Sequence, residues 1–199
     1  MNRISSIARG FAVAMVACAA LAPSALAANP GPCAARSFST IFSSFGDNAL
    51  YTLAPDGGLE GRAAGWTLGP GASVAAESSS IKLDGKVGAR SLELASGATA
   101  TTPAICVERG YPSFRFAARS VAAGKGAVRV EVIYGADRKV KDAGTVTPAT
   151  AWGVSPVLKL VEGQFKVNAG ESGEVRFRFT ASGGTVRVDD VYVDPRYRG

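Results

Sequence analysis

The chain of 199 residues contains no histidine, which removes the most common catalytic base before any motif is considered. Ser-His-Asp and Cys-His catalysis and histidine-ligated zinc are therefore excluded. Ser79-Ser80-Ile81-Lys82 matches an S-x-x-K pattern, but that pattern needs Ser and Lys one turn apart at the start of a helix. No helical period surrounds it. Without a nucleophile and base set, the sequence predicts no catalytic residues and a protein that is not an enzyme.

Asp189 and Asp190 are adjacent carboxylates in a segment that reads as a strand. Consecutive side chains of a regular strand point to opposite faces, so the two cannot flank one glycosidic bond as an acid and base pair. One of them must face inward or be displaced by a β-bulge. An inward carboxylate needs a positive partner, which Arg62 or a bound cation could supply.

Aromatic side chains are the candidates for stacking on a sugar ring, because a pyranose presents a flat apolar face. Trp66 and Trp152 are the first candidates, and Tyr134, near a strand end, is a softer one. The alternative for both tryptophans is a place in the core, where large aromatic residues are usually found.

Five arginines fall on outward positions of the predicted strands, and on adjacent strands they would form a basic face. Their guanidinium groups could then bind carboxylate or phosphate groups of an acidic envelope polymer. Acidic residues lie among them, so a cross-strand charge ladder is the alternative. The arginines are Arg115, Arg129, Arg176, Arg178 and Arg187, and of these Arg176 and Arg178 are taken as ligand candidates. The net charge is +6, and the basic residues are spread along the chain. They do not form the basic cluster that is typical of nucleic-acid-binding proteins.

Residues 1–27 have the pattern of a secretory signal peptide, with basic Arg3 and Arg9, an apolar stretch from Phe11 to Leu21 and an A-x-A exit ending at Ala27. A lipoprotein modified at Cys18 is the alternative, although the residues before it make a poor lipobox. No later segment is long and apolar enough for a transmembrane helix. We therefore expect a secreted protein, extracellular or associated with the cell surface.

The mature chain keeps two cysteines, Cys33 and Cys106. In an oxidising compartment two cysteines favour one disulfide, and two buried free thiols are the alternative. No histidine and no methionine remain, so the mature chain has few ligands for a soft metal ion. We therefore expect that no cofactor is required.

The dominant hydrophobic period of the mature chain is two, which is typical of strands with one buried face. Val128, Val130 and Val132 alternate with polar residues, as do Val175, Phe177 and Phe179. About ten short strands separated by turn residues predict an all-β, antiparallel two-sheet sandwich over residues 51–199. Residues 28–50 are expected to form an N-terminal tether and a short segment that packs Phe38, Ile41, Phe42 and Phe45 against the sandwich.

Four motifs occur in the order seen in galactose-binding-like jelly rolls, namely Gly58-Leu59-Glu60-Gly61, Gly65-Trp66, Ser91-Leu92-Glu93-Leu94 and Val188-Asp189-Asp190-Val191. The chain thus resembles carbohydrate-binding modules of the family 4, 9 and 22 type. Phe177-Arg178-Phe179-Thr180 and Asp190-Val191-Tyr192-Val193-Asp194-Pro195 make it more closely similar to secreted actinobacterial proteins of unknown function, which bring no activity with them.

This resemblance implies a single jelly-roll domain. It also implies a structural calcium held by Glu60 with Asp189 or Asp190, hard oxygen ligands of the kind calcium prefers. The alternative is that the two aspartates cap a bulge or pair with Arg187. The function expected by analogy of fold is a non-catalytic binding module for a polysaccharide or cell-envelope polymer. A structural or protein-interaction domain of the cell surface that binds no carbohydrate is the alternative.

Overall fold

The computed structural model describes residues 36–108, 113–122, 125–135, 139–160 and 172–195. The predicted signal peptide at 1–27, Cys33 and the first part of the tether lie outside these residues. Over the described residues no helix is long and apolar enough to cross a membrane.

The described part of the chain is built from short strands joined by turns. One 3₁₀ turn, Ser43–Phe45, precedes them. The strands are β1 (Thr52–Leu53), β2 (Thr67–Leu68), β3 (Ala72–Ala75), β4 (Ser91–Leu94), β5 (Thr99–Thr101), β6 (Ile105–Glu108), β7 (Ser113–Ser120), β8 (Ala127–Tyr134), β9 (Lys139–Val146), β10 (Gly153–Val154), β11 (Leu158–Lys159), β12 (Ser172–Ser182) and β13 (Val186–Asp194).

The strands form two antiparallel sheets, which confirms the predicted all-β jelly-roll sandwich. The first sheet has the order β10-β7-β13-β4-β3, with β1 paired to β13 and β11 paired to β7. The second sheet has the order β2-β5-β12-β8-β9, with β6 paired to β12. Apart from the pairs β3-β4 and β8-β9, paired strands are not consecutive in sequence, and the last strand, β13, lies between β7 and β4.

The core lies between the sheets. The side chains that face it are those predicted from the alternation of apolar and polar residues. Val128, Val130, Val132, Phe177 and Phe179 are fully buried. Phe177 stacks on Phe114 of the first sheet with ring centroids 4.2 Å apart. A shift of one residue in strand register would turn every side chain to the other face. The contact between Phe114 and Phe177 therefore fixes the register of their strands.

The N-terminal segment packs on the outer face of the first sheet. Phe42 is fully buried and meets Tyr51 and Tyr192 edge to face, at 4.9 Å and 5.7 Å between ring centroids. The prediction for Phe45 was wrong, since its side chain is 46% exposed. Phe45 ends the 3₁₀ turn, and Gly46 then reverses the chain at φ 74°, which leaves the ring on the solvent side.

In place of one continuous strand, residues 153–159 contain two short strands, β10 and β11. Between them lies Pro156, which has no amide N–H to donate to a ladder. The carbonyl of Ser155 is also taken, because it accepts hydrogen bonds from the Arg115 side chain.

Candidate functional site

The two tryptophans occupy different environments. Trp66 is 8% exposed and stacks on Phe179 with ring centroids 6.0 Å apart. Its indole N–H donates a hydrogen bond to the carbonyl of Pro55 at 3.1 Å. Trp66 is therefore a core residue, which agrees with the structural alternative for this side chain.

Trp152 lies at the surface, where the chain crosses from β9 in the second sheet to β10 in the first. Its side chain is partly exposed, and it lines a groove of about 310 Å³. Within the described residues the indole makes no hydrogen bond and no ring contact. The groove is otherwise walled by small or uncharged residues, namely Ala118, Val146, Thr147, Pro148, Ala149, Ala151, Gly153, Val154, Ser155 and Pro156.

The wall of this Trp152 groove is tied to the first sheet by hydrogen bonds. The amide of Ser120 donates to the carbonyl of Ala149 at 2.7 Å. The hydroxyl of Ser155 accepts from the amide of Phe116 at 3.1 Å and donates to the carbonyl of Pro156 at 2.9 Å. The loop is thus held on both sides of Trp152, which lowers the entropy that a ligand would have to remove on binding.

Arg115 supports the same loop from behind. Its guanidinium donates to the carbonyl of Ser155 through Nε at 3.0 Å and Nη2 at 2.8 Å. It also pairs with Asp47 at 3.3 Å and lies over the ring of Phe42, 4.8 Å from the centroid. Arg115 is 8% exposed, so it connects the N-terminal segment to the groove and is not available as part of an exposed basic face.

The five arginines predicted to form one face are divided between two sheets, which corrects that expectation. Arg129, Arg176 and Arg178 lie on the second sheet, and Arg115 and Arg187 on the first. A single basic surface is therefore absent among these five described residues.

Most of these arginines are engaged in ion pairs. Arg178 stands opposite Glu131 in the register of β12 and β8 and contacts it at 2.8 Å. Arg129 reaches Glu131 and Asp142, each at 3.4 Å. This is the charge ladder that the sequence left as the alternative. Arg176 is partly exposed and forms no ion pair with a described residue.

On the outer face of the first sheet, acidic side chains likewise surround the arginines. Arg187 pairs with Glu93 at 2.7 Å and also with Glu77, and Arg119 pairs with Glu77 at 2.7 Å. The remaining ligand candidate, Tyr134, is 3% exposed and belongs to the core.

Two of the three predicted calcium ligands, Glu60 and Asp190, come together where the region after β1 meets β13. Glu60 and Asp190 line one cavity of about 360 Å³, together with Asp84, Lys86 and Tyr192. Sequence reasoning missed Asp84, because the loop from 76 to 90 has no hydrophobic period. The Asp84-Gly85 dipeptide was the available signal, since it is typical of a turn that displays its carboxylate.

The two adjacent aspartates do point in different directions. Asp189 is fully buried, and its carboxylate accepts hydrogen bonds from the Ser78 hydroxyl at 2.8 Å, the Ser79 amide at 2.7 Å and the Asp190 amide at 2.8 Å. Asp190 turns to the cavity. Its φ of 51° and the shift of register between Asp189 and Tyr192 show the bulge that was one of the two predicted solutions.

Burial and mutual repulsion change the acidity of this pair. Burial raises the pKa of Asp189 to about 6, although its hydrogen bonds act in the opposite direction. Burial raises the pKa of Asp190 to about 7, and the charges of Asp189, Asp84 and Glu60 act in the same direction. Burial and the neighbouring negative charges disfavour the ionised form, whereas the hydrogen bonds to Asp189 favour it.

The donor types at this cavity suit calcium, but several of the oxygens are already in use. Oε1 of Glu60 accepts hydrogen bonds from the amides of Ala89 and Arg90 at 2.6 Å and 3.1 Å, and the Asp189 carboxylate accepts the three described above. Among the described residues no three His, Cys, Asp or Glu side chains form a group that could hold a metal ion. Calcium therefore stays a prediction of the resemblance.

Cys106 is buried in β6, at 2% exposure. Its predicted partner, Cys33, lies outside the described residues. The Cys33–Cys106 disulfide accordingly stays a prediction.

Comparison with solved structures finds distant matches. A family 61 carbohydrate-binding module in complex with β-1,4-galactotriose has a TM-score of 0.46 at 13% identity, over 72% of this chain and 98% of that one. A family 16 carbohydrate-binding module has a TM-score of 0.49 at 14% identity, over 71% and 98%. A Stig cyclase from Fischerella sp. TAU also has a TM-score of 0.49, at 10% identity over 73% and 96%.

No protein-family model and no curated protein matches the sequence. Each of these three structures has a TM-score below 0.5, and no function is assigned to the chain from them.

Proposed function

We propose that the mature chain is a secreted, non-catalytic module that binds a carbohydrate polymer in the Trp152 groove. The observation that carries the proposal is the contrast between the two tryptophans. Trp66 is used inside the core, whereas the indole of Trp152 is partly exposed and makes no hydrogen bond or ring contact with the described residues.

An indole held in this way suits a sugar ring. The CH face of a pyranose packs on a flat aromatic face, while its hydroxyl groups stay at the edge and bond to polar groups or water. The groove offers the hydroxyl of Thr147 and the backbone of a short loop beside the ring. Because the loop is anchored to β7 at Ala149 and Ser155, little reorganisation is needed to bind a ligand.

The composition of the groove supports binding without catalysis. Its lining contains Ser and Thr hydroxyls but no Asp, Glu, Lys, Arg or Cys. Hydrolysis of a glycosidic bond uses two carboxylates on either side of that bond. A groove without carboxylates can hold a glycan but has no group to protonate a leaving oxygen.

The test is binding of the mature protein to a glycan array, followed by titration of the best ligand with two variants of Trp152. Trp152→Ala should weaken binding by about tenfold or more, because aromatic stacking contributes about 0.5–1.5 kcal/mol in addition to the area that it buries. Trp152→Phe keeps a smaller ring and should retain part of the affinity. Both variants should unfold at nearly the wild-type temperature.

Val157→Ala is the matched control. Val157 is 43% exposed, close to the groove in sequence but not part of its lining, so its truncation should leave affinity unchanged. Binding that survives in Trp152→Ala would place the site elsewhere. Failure of the wild type to bind any carbohydrate would favour the alternative, a structural or interaction domain of the cell surface.

A further inference from the structure

We infer that the glycan bound in the Trp152 groove is uncharged, and that acidic envelope polymers are not ligands of this groove. The inference rests on the proposed function and adds the class of ligand to it. It follows from where the charges of the protein lie and from how they are already paired.

The lining of the groove contains no cation that could pair with an anion. None of its lining residues carries a charge. The nearby cation is Arg115, whose guanidinium lies behind the carbonyl of Ser155 and is paired with Asp47. A carboxylate or phosphate that entered the groove would lose water without gaining a partner, which disfavours binding. An uncharged sugar ring loses only hydroxyl hydration, which the loop and remaining water can replace.

The arginines on the outer faces of the sheets do not supply the missing cation. On the second sheet, Glu131 lies between Arg178 and Arg129 and contacts both. An acidic polymer would have to displace this carboxylate and would be repelled by it during approach.

The first sheet repeats the arrangement. Glu77 and Glu93 neutralise Arg119 and Arg187. Of the five arginines considered for a basic face, Arg176 is the one without such a partner among the described side chains. The exposed lysines of the sheets, Lys139, Lys141 and Lys159, do not line the groove. Their attraction for an acidic polymer is therefore weak, salt-sensitive and outside the groove.

The experiment compares neutral and acidic polysaccharides on the same sensor surface. Neutral probes are xylan, β-glucan, galactan and mannan, and acidic probes are alginate, polygalacturonic acid and hyaluronan. Binding of wild type, Trp152→Ala and Arg176→Ala is measured in low and in high sodium chloride. A matched pair is made by reducing the carboxyl groups of polygalacturonic acid, which keeps the backbone and removes the charge.

We expect binding to at least one neutral polymer, with a Kd that changes less than about twofold between low and high salt, because no ion pair is formed. Trp152→Ala should weaken it about tenfold or more, as in the proposed function, and Arg176→Ala should not change it. Binding to acidic polymers only, with a steep salt dependence and a loss in Arg176→Ala, would overturn the inference while leaving carbohydrate binding intact. No binding to any polymer would instead overturn the proposed function together with the inference.

Discussion

Replacing Asp190 by Asn should stabilise the protein at alkaline pH. Asp190 faces the cavity at the bulge of β13, and none of the described side chains donates a hydrogen bond to its carboxylate. Burial and three neighbouring carboxylates raise its pKa from 3.8 to about 7. Asn has nearly the same shape, carries no charge and tolerates the left-handed backbone that Asp190 adopts at φ 51°.

The sign follows from the direction of the shift. A carboxyl with a raised pKa in the folded state favours folding when it is protonated, so this contribution is complete below the unfolded pKa of 3.8 and is lost as the pH rises through about 7. Each tenfold change in proton affinity corresponds to about 1.4 kcal/mol, so the cost of ionising Asp190 is limited to about 4 kcal/mol. Asp189 titrates in the same range, and the two behave as a coupled pair.

The assay is urea unfolding of wild type and Asp190→Asn at two pH values. We expect the advantage of the variant to grow by about 2–3 kcal/mol between about pH 4.5 and about pH 8. Asp142→Asn, which removes an exposed carboxylate of the second sheet (54% side-chain exposure), is the control and should show no such growth. An advantage that is the same at both pH values, or a variant less stable than wild type at the higher pH, would refute the reasoning.

Three further predictions concern the metal, the disulfide and the support of the groove. Addition of calcium to the purified protein at about pH 8 should raise the melting temperature and chelator should lower it, since a ligand that binds only the folded state stabilises it. An unchanged melting curve, with no metal in the purified protein, would contradict the calcium prediction. Peptide mapping of native secreted material should recover Cys33 linked to Cys106, and free thiols there would contradict the disulfide. Arg115→Leu should lower the free energy of unfolding by about 3–5 kcal/mol, because Asp47 loses its buried partner. The more exposed Arg178→Leu should cost less than about 1 kcal/mol in the same urea titration.

The alternation of apolar and polar residues was sufficient to predict the fold class and the faces of the long strands. Val128 and Phe177 are core residues in the structure because a strand has only two faces and one of them must be dry. The same rule predicted that Asp189 and Asp190 would diverge. It failed for β2 and β5, which are two and three residues long, because a period cannot be read from so few positions.

The candidate site depends on the tertiary structure. Nothing local distinguishes Trp66 from Trp152, since both follow turn-forming segments and both are apolar. What separates them is whether the opposite sheet supplies a partner ring, as Phe179 does for Trp66. Likewise, Arg115 reads as a surface residue from its strand, and it is buried because the N-terminal segment folds over it.

The sequence by itself determined which side chains share a face of a strand, because that relation depends only on their spacing along the chain. Only the tertiary structure decided which groups from distant segments meet. Asp84 joins Glu60 and Asp190 at one cavity, and Glu131 neutralises arginines of two strands. These contacts arise from the order in which strands far apart in sequence pair within the sheets, and that order is set by the packing of the whole core.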